Sequence, residues 1–252
     1  MYFLRFPQGD WNTPKHNPRV ICWQSEQGPM LPFAKASASK YDSVAINNKY
    51  EEPHYVGKKL YYLPFGCYNP PLSDTKQAYD VVVSSNPHYN CLCAGDNKKI
   101  SVDIMIRPLL GRFITQIYGM WPSEHGWGVV PGVTKIGHFE HWEHVEHLRQ
   151  GKLYVDCTWN WRHGGYGCKL ARALTTGVPV IWHKTVGMEL DGLEKGNQLD
   201  WSASPEETVT LVDHYLTHDK ERIEMGLRGR EWFSQNWEYG LNFLKIAKEI
   251  DI

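Results

Sequence analysis

The residues best suited to chemistry lie in the segment 163–181, which begins with a glycine-rich turn at 163–167 and continues as a short helix. Glycines leave the backbone N–H groups of a helix start uncovered, and these groups carry roughly half a positive charge, which attracts anions. Lys169 and Arg172 add two cations that oppose the helix dipole unless an anion lies between them. The pattern predicts a phosphate or diphosphate site. A flexible turn with two solvated cations is the alternative, because glycine motifs alone are weakly specific.

The elements that must position this turn are those of an α/β protein. The periodicity predicts a helix over Tyr166–Thr176 that ends at Gly177, and Pro179 then leads into a buried strand, Val180–Trp182. From residue 80 onward such strands and helices alternate, which favours a parallel sheet with ligands at the carboxyl ends of its strands. The other predicted strands are Asp80–Ser85, Phe113–Gly119 and Lys152–Cys157, and the helices are Ser101–Leu110, capped by Ser101, and His138–Gln150.

Both ends of the chain differ from this central part. Ser204–Glu207 is a capping box with proline at the first helical position, and it introduces three C-terminal helices. The N-terminal part is less regular, and Pro64–Asp74 is predicted to link a lobe at 1–70 to a lobe at 71–252. The predicted C-terminal helices are Thr208–Leu216, Asp219–Phe233 and Gly240–Ile250, and the predicted N-terminal strands are Val20–Gln24, Ser43–Asn47 and Leu60–Leu63.

The composition excludes a bulk electrostatic drive toward nucleic acid or membranes. The chain has 252 residues, a net charge of −1 and a pI of about 6.9, so neither sign of charge dominates. Apolar runs stay shorter than the roughly 18–20 residues of a membrane span, and a secretory signal pattern is absent. The six cysteines lack paired metal spacing, which indicates reduced thiols. We therefore expect a soluble, cytoplasmic protein.

Four histidines alternate with glutamates between residues 138 and 147, a pattern that invites a metal assignment. Each step of three residues rotates a helix by about 300°, so the histidines spiral around it and only neighbours come close. The H-E-x-x-H pattern of zinc enzymes is also absent. We therefore predict a solvated charged face and no metal. The four histidines are His138, His141, His144 and His147.

Several segments together resemble a known family. They are the strand Asp80–Val83, the strand end Ile117–Gly119, Lys135–His138 before a helix, the helix end and strand Ala173–Ile181, the tail Ser204–Phe233, and Tyr61–Gly66 before the linker. In this order they resemble the nucleotide-sugar-binding domain and linker of GT-B glycosyltransferases of the group-1 class, especially its spore-coat-type branch. The resemblance covers the chain from residue 80 to its end, together with the short piece before the linker.

This resemblance implies an α/β, GT-B-like fold, with a parallel Rossmann-type sheet in the C-terminal lobe and a reduced, acceptor-side N-terminal lobe. It implies transfer of a sugar from a nucleotide-sugar, such as a UDP-sugar or GDP-sugar, to a hydroxyl acceptor, with retention of configuration and without metal or another cofactor. The acceptor stays open between a saccharide, a protein, a metabolite and a modified DNA base. A homo-oligomer or a partner would complete the short lobe. The alternatives are a non-catalytic nucleotide-binding module and a structural α/β protein without ligand.

The sequence departs from the family pattern at two positions. The family places a glutamate at the start of the turn and another eight residues later, the second holding the ribose, whereas this chain has Gly164 and Arg172 there. Lys169 fills a position that is basic in the spore-coat-type branch, so the diphosphate role carries over better than the ribose role. Glu189, in the loop after the following strand, is a candidate for the missing ribose contact.

The resemblance and the glycine turn together define the candidate site. Breaking a sugar–diphosphate bond puts negative charge on the leaving phosphate, which a helix N-terminus and a cation stabilise. We assign catalytic roles to Lys169 and His88, and stacking on a sugar to Trp159 or Trp161. The donor-binding candidates are Asn86, Lys99, His163, Gly165, Tyr166, Gly167, Lys169, Arg172 and Glu189.

Overall fold

The structure is a computed structural model that describes most of the chain. It covers residues 2–5, 20–24, 35–36, 38–64, 66–67, 69–84, 95–118, 133–136, 143–158 and 161–249, and the side chains of 2–5, 20–24, 95–99, 133–136 and 163 are not described. No helix within these ranges is long and apolar enough to cross a membrane.

The N-terminal part forms a four-stranded parallel sheet. Its strands pair in sequence order, and the third is buried along its whole length. A 3-10 helix, Lys49–His54, follows the third strand directly. Three of the strands confirm the sequence prediction within one residue, whereas the first was not predicted. The strands are β1 (Tyr2–Arg5), β2 (Val20–Gln24), β3 (Ser43–Ile46) and β4 (Lys59–Tyr62).

The rest of the chain forms a six-stranded parallel sheet with helices. The strand order is β10-β9-β8-β5-β6-β7, and every pairing is parallel. The α/β prediction is therefore confirmed. The strands are β5 (Tyr79–Ser84), β6 (Thr115–Tyr118), β7 (Val133–Ile136), β8 (Gly151–Asp156), β9 (Val180–His183) and β10 (Asp200–Ser202). The helices are α1 (Gly95–Met105), α2 (His144–Arg149), α3 (Gly167–Thr175), α4 (Pro205–Thr217), α5 (Asp219–Asn236) and α6 (Tyr239–Glu249).

The central strands are apolar on both faces, as expected for a parallel sheet covered by helices on each side. Successive side chains of a strand point to opposite faces. Val82 and Tyr154 accordingly pack in one core with residues of α3, while Val81 and Val155 pack in a second core with residues of α1 and α4. These two cores fix the sheet between helices, so the carboxyl ends of β5 and β8 are held firmly in place.

Two helix predictions near the sheet were only partly correct. Ser101 was predicted to cap its helix, but α1 begins at Gly95 and Ser101 lies fully buried inside it. The first turns of α1 are polar and contain glycine and asparagine, so they look like a loop until the apolar contacts begin at Val102. His144 was predicted on a solvated face but is 1% exposed, because α2 packs against the sheet and α3. His138 and His141 lie outside the described residues.

The C-terminal helices agree closely with the sequence. The Ser204 hydroxyl accepts a hydrogen bond from the Glu207 N–H at 3.1 Å, and the Glu207 carboxylate accepts one from the Ala203 N–H at 2.9 Å. This is the reciprocal pattern of a capping box, except that the Glu207 carboxylate accepts from the Ala203 N–H and not from the N–H of the N-cap residue Ser204. Local chemistry thus sets the start of α4 at Pro205, as predicted.

Candidate functional site

The candidate site lies where the strand order of the larger sheet reverses. The chain leaves β5 toward β6 on one side, and β8 pairs with the other side of β5. In sheets of this kind a crevice opens at the carboxyl ends of the two strands that meet at the switch point, and ligands bind there. Ser84 ends β5 and Asp156 ends β8, so these two residues mark the place.

Lys169 spans this switch point. Its ammonium group donates hydrogen bonds to the Ser84 carbonyl and to Asp156 Oδ2, both at 2.8 Å, and a longer one of 3.4 Å to the Cys157 carbonyl. The contact with the Cys157 carbonyl is longer than a usual N–H···O hydrogen bond, so one N–H of the ammonium group is only weakly hydrogen-bonded. The side chain is 29% exposed. Lys169 therefore presents positive charge at the crevice while it is anchored to two strands.

Asp156 is the fully buried partner of Lys169. Its carboxylate also accepts hydrogen bonds from the Tyr154 hydroxyl at 2.5 Å and from the Cys157 N–H at 2.7 Å. Burial, and next the charge of Asp156, raise the pKa of Tyr154 well above its ordinary value, so this phenol stays protonated and donates. A buried carboxylate is tolerated when it is paired and hydrogen-bonded in this way. Asp156 therefore fixes the direction of Lys169.

The glycine turn opens α3 beside Lys169. The helix runs over Gly167–Thr175, one residue shorter at each end than predicted. Gly164 and Gly167 have φ values of 77° and 67°, in the left-handed region that favours glycine. Among the residues that the structure describes, a Cβ on Gly167 would meet nothing within 4 Å, so none of them covers the first turn of α3 on that side. A Cβ on Gly164 would lie 2.9 Å from Oδ1 of Asn48, which follows β3 of the smaller sheet.

Tyr166 belongs to the turn, but its side chain points into the protein. The residue is 4% exposed, its hydroxyl donates to Asp191 Oδ2 at 2.8 Å, and its ring stacks on Trp237 with centroids 5.7 Å apart. Burial, followed by the charge of Asp191, raises the pKa of Tyr166 well above its ordinary value. The phenol is thus hydrogen-bonded inside the fold. At the turn, Tyr166 can therefore contact a nucleotide-sugar only through its backbone.

Arg172 and Glu189 lie apart from the Lys169 contacts. The Arg172 guanidinium contacts His144 Nδ1 at 3.4 Å and Cys168 Sγ at 3.6 Å, next to α2. Glu189 is exposed in the turn that follows β9. Its charge adds to the rise in the pKa of Tyr166, after burial, Asp191 and Tyr62. The donor contacts of both residues stay predictions.

Trp161 is half-buried beyond the end of β8. Its ring meets the His183 ring edge-on at 4.7 Å, and the Arg162 guanidinium lies 4.7 Å above it. Two neighbours therefore already contact the indole, and a sugar stacked on its face would compete with Arg162. The remaining predicted site residues are not placed by the structure: Asn86, His88 and Trp159 lie outside the described residues, and the side chains of Lys99 and His163 are not described.

Three residues at the site escaped the sequence analysis. Asp156 could have been found, because it is the last residue but one of the predicted strand Lys152–Cys157, shortly before the glycine turn, and is the only acid in that strand. Asn48 and Asp191 carry no such signal, since they are far from the turn in the chain and sit in polar loops. Within the described ranges, no three His, Cys, Asp or Glu side chains are grouped as metal ligands would be.

Comparison with known proteins places the chain in a family. A family model described as "Glycosyl transferase-like" matches residues 85–244, more than half of the chain. No curated protein sequence matches it.

Solved structures share the fold at low identity. Anabaena HepE (Alr3699) in complex with UDP-glucose has a TM-score of 0.68 and 14% identity, over 92% of this chain and 72% of HepE. Sucrose-phosphate synthase from Thermosynechococcus elongatus has a TM-score of 0.67 and 14% identity, over 91% of this chain and 66% of that enzyme. T4 phage BGT in complex with its UDP-glucose substrate has a TM-score of 0.61 and 12% identity, over 92% of this chain and 64% of BGT. The chain spans 51% of TarM, another similar structure. It has the GT-B fold, and it belongs to the glycosyl transferase-like family.

Proposed function

We propose that the chain is a glycosyltransferase that takes a sugar from a nucleoside-diphosphate sugar and transfers it to a hydroxyl acceptor. The observation that carries the proposal is the position of Lys169 at the switch point between β5 and β8, beside a start of α3 that no described residue covers at Gly167. Family membership and fold neighbours solved with UDP-glucose support the same donor class.

Leaving-group stabilisation is the step that these residues serve best. When the bond between the sugar and the diphosphate breaks, negative charge develops on the leaving phosphate oxygens. The backbone N–H groups of Gly165, Tyr166 and Gly167 at the start of α3 donate to such an oxygen, and the weakly hydrogen-bonded N–H of Lys169 adds a charge-assisted hydrogen bond. The Asp156 contact holds Lys169 in place, so the lysine need not reorganise during the reaction. We propose on this basis that the reaction needs no metal.

In line with the family resemblance, the proposal includes retention of configuration, a catalytic role for His88 and a donor contact of Glu189 with the ribose. The acceptor is a hydroxyl group on a saccharide, a protein, a metabolite or a modified DNA base. The domain boundary near residue 70 and completion of the N-terminal lobe by a second copy or a partner remain parts of this proposal. A cytoplasmic location also remains a proposal.

A thermal-shift panel tests the donor site directly. A nucleotide at a hundredfold excess over its Kd stabilises the folded state by about 2.7 kcal/mol, which at about 2–4 °C per kcal/mol for this chain length raises the Tm by about 5–11 °C. The panel contains UDP, GDP, ADP and TDP and the corresponding sugar conjugates. We expect a shift with one base in the wild type and its loss in Lys169→Met.

The chain offers a matched control for that variant. Lys152 of β8 pairs with Asp80 of β5 at 2.9 Å, at the opposite end of the same two strands. Lys152→Met removes a more exposed lysine–aspartate ion pair between the same two strands without touching the crevice, so the nucleotide shift should survive in it. If no nucleotide shifts the wild type, or if both lysine variants lose the shift equally, the proposed donor site is wrong.

A non-catalytic nucleotide-binding module is the second candidate. Gly164 and Arg172 replace the two glutamates of the family, and Gly164 is packed against Asn48 while Arg172 contacts His144. Neither residue has a carboxylate, so neither can make the contacts that the two glutamates make in the family. Slow hydrolysis of the nucleotide-sugar, followed as release of the nucleoside diphosphate, separates an enzyme from a binding module, because the module releases none.

A further inference from the structure

Tyr166 is the residue with a side chain beyond Cα in the part of the glycine turn that spans residues 164–167. In the run Gly164-Gly165-Tyr166-Gly167, three residues without a Cβ leave the backbone free to adopt many conformations. Within this run, Tyr166 is the residue whose side chain can hold the backbone in one of them. A site that binds an anion through backbone N–H groups needs those groups to point in fixed directions. The contacts of the Tyr166 side chain therefore decide how well the turn is preorganised.

Those contacts form a buried ring of side chains centred on Asp191. Asp191 Oδ2 accepts from the Tyr166 hydroxyl at 2.8 Å. Burial, and next the charge of Asp191, raise the pKa of Tyr62 of β4 well above its ordinary value. Trp237 donates through Nε1 to the Tyr62 hydroxyl at 3.1 Å and stacks on the Tyr166 ring. Asp191 Oδ1 accepts from the Lys49 N–H at 2.8 Å. One carboxylate thus joins the turn before α3, the loop after β9 and the N-terminal part of the chain that contains the smaller sheet.

We infer that Asp191 is a positioning residue that sets the glycine turn for donor binding by holding the Tyr166 hydroxyl. The inference rests on the proposed function for the identity of the donor. Asp191 is 6% exposed and both of its carboxylate oxygens accept hydrogen bonds inside the fold, so it acts through Tyr166 and does not bind the donor itself. The same carboxylate binds the start of the 3-10 helix at Lys49, and it therefore also ties the turn to the N-terminal part of the chain that contains the smaller sheet.

The structure contains a matched pair of tyrosines for the test. Tyr215 of α4 is 6% exposed and donates to Asp200 Oδ2 at 2.9 Å, while Tyr166 is 4% exposed and donates to Asp191 at 2.8 Å. Both variants to Phe lose one hydroxyl, keep the ring and remove one donor from a buried aspartate. Tyr215 packs in the core on the other side of the sheet from Tyr166. Any general effect on stability is therefore common to both, and an effect on the turn is confined to Tyr166→Phe.

The first measurement is hydrogen–deuterium exchange of the whole chain, without ligand. We expect the backbone amides of residues 164–169 to exchange about tenfold faster in Tyr166→Phe than in the wild type. In Tyr215→Phe the same amides should exchange at the wild-type rate. Asp191→Ala should reproduce the effect of Tyr166→Phe, and Asp191→Asn should restore part of the protection because its amide oxygen still accepts a hydrogen bond. Unchanged exchange at 164–169 in Tyr166→Phe, or equal acceleration in both tyrosine variants, overturns the inference.

The second measurement links the turn to the donor. With UDP as the probe, the Kd in Tyr166→Phe should rise about tenfold if one donor-site hydrogen bond is misdirected. In Tyr215→Phe it should stay at the wild-type value. Faster exchange with an unchanged Kd for UDP refutes the role in donor binding. Absence of UDP binding in the wild type refutes UDP as the donor nucleotide of the proposed function, while the exchange experiment still decides whether Asp191 positions the turn.

Discussion

Substitution of Lys169 by methionine should destabilise the protein even without a ligand. Methionine keeps the length and apolar stem of the side chain but removes the charge. Asp156 would then keep its hydrogen bonds from Tyr154 and Cys157 but lose its only cation among the described contacts. A fully buried carboxylate without a counter-charge is costly, so the effect should come from Asp156 and not from lost packing.

The size of the effect follows from the exposure of the two partners. Removing one member of a buried ion pair costs about 3–5 kcal/mol. Lys169 is 29% exposed, so water can partly replace its ammonium group, and we expect a loss of about 2–3 kcal/mol. For a chain of this length that loss lowers the Tm by about 4–12 °C. Lys152→Met should cost less than about 1 kcal/mol, because its partners are 41% and 21% exposed.

A double-mutant cycle with Asp156→Asn separates this electrostatic cost from other effects. Asparagine keeps the shape of Asp156 and can still accept from the Cys157 N–H, but it needs no counter-charge. The free energy of unfolding from urea titrations should show a coupling of at least about 1 kcal/mol between the two substitutions. Losses that add within about 0.5 kcal/mol would refute the reasoning, because Lys169 and Asp156 would then act independently.

Two further predictions concern the contacts around the turn. Gly164→Ala should cost about 1–3 kcal/mol more than Gly196→Ala in urea unfolding. Both glycines have left-handed φ, but among the described residues only a Cβ on Gly164 meets a neighbour, Asn48 Oδ1 at 2.9 Å. Equal costs would contradict a close contact between the turn and the part of the chain that contains the smaller sheet. Burial raises the pKa of Asp191, so the folded state keeps this proton where the unfolded chain has lost it, and stability falls as the pH rises from about 4 through the raised pKa. Asp191→Asn should lack this part of the slope, and parallel stability profiles between about pH 4 and pH 7 would show that the prediction is wrong.

Much of the fold could be predicted because its signals are local. The capping box at Ser204, the stop at Gly177 and the apolar runs of the strands depend on residues a few positions apart, and each lies within one or two residues of its prediction. The start of α1 could not be predicted, because its polar first turns have no helical pattern of their own. The burial of His144 depends on packing against α3, a contact that the repeating His and Glu pattern does not encode.

The candidate site divides in the same way. The sequence by itself determined the glycine turn, the helix behind it and Lys169, because residues 163–181 are contiguous and a helix start has its own electrostatics. Only the tertiary structure decided the partners of these residues: Asp156 beneath Lys169, Asn48 against Gly164 and Asp191 behind Tyr166. These partners come from separate parts of the chain, and their buried polar groups must be matched in three dimensions to offset the cost of leaving water. Spacing along the chain cannot reveal that matching, since it exists only once the strands and loops have packed together.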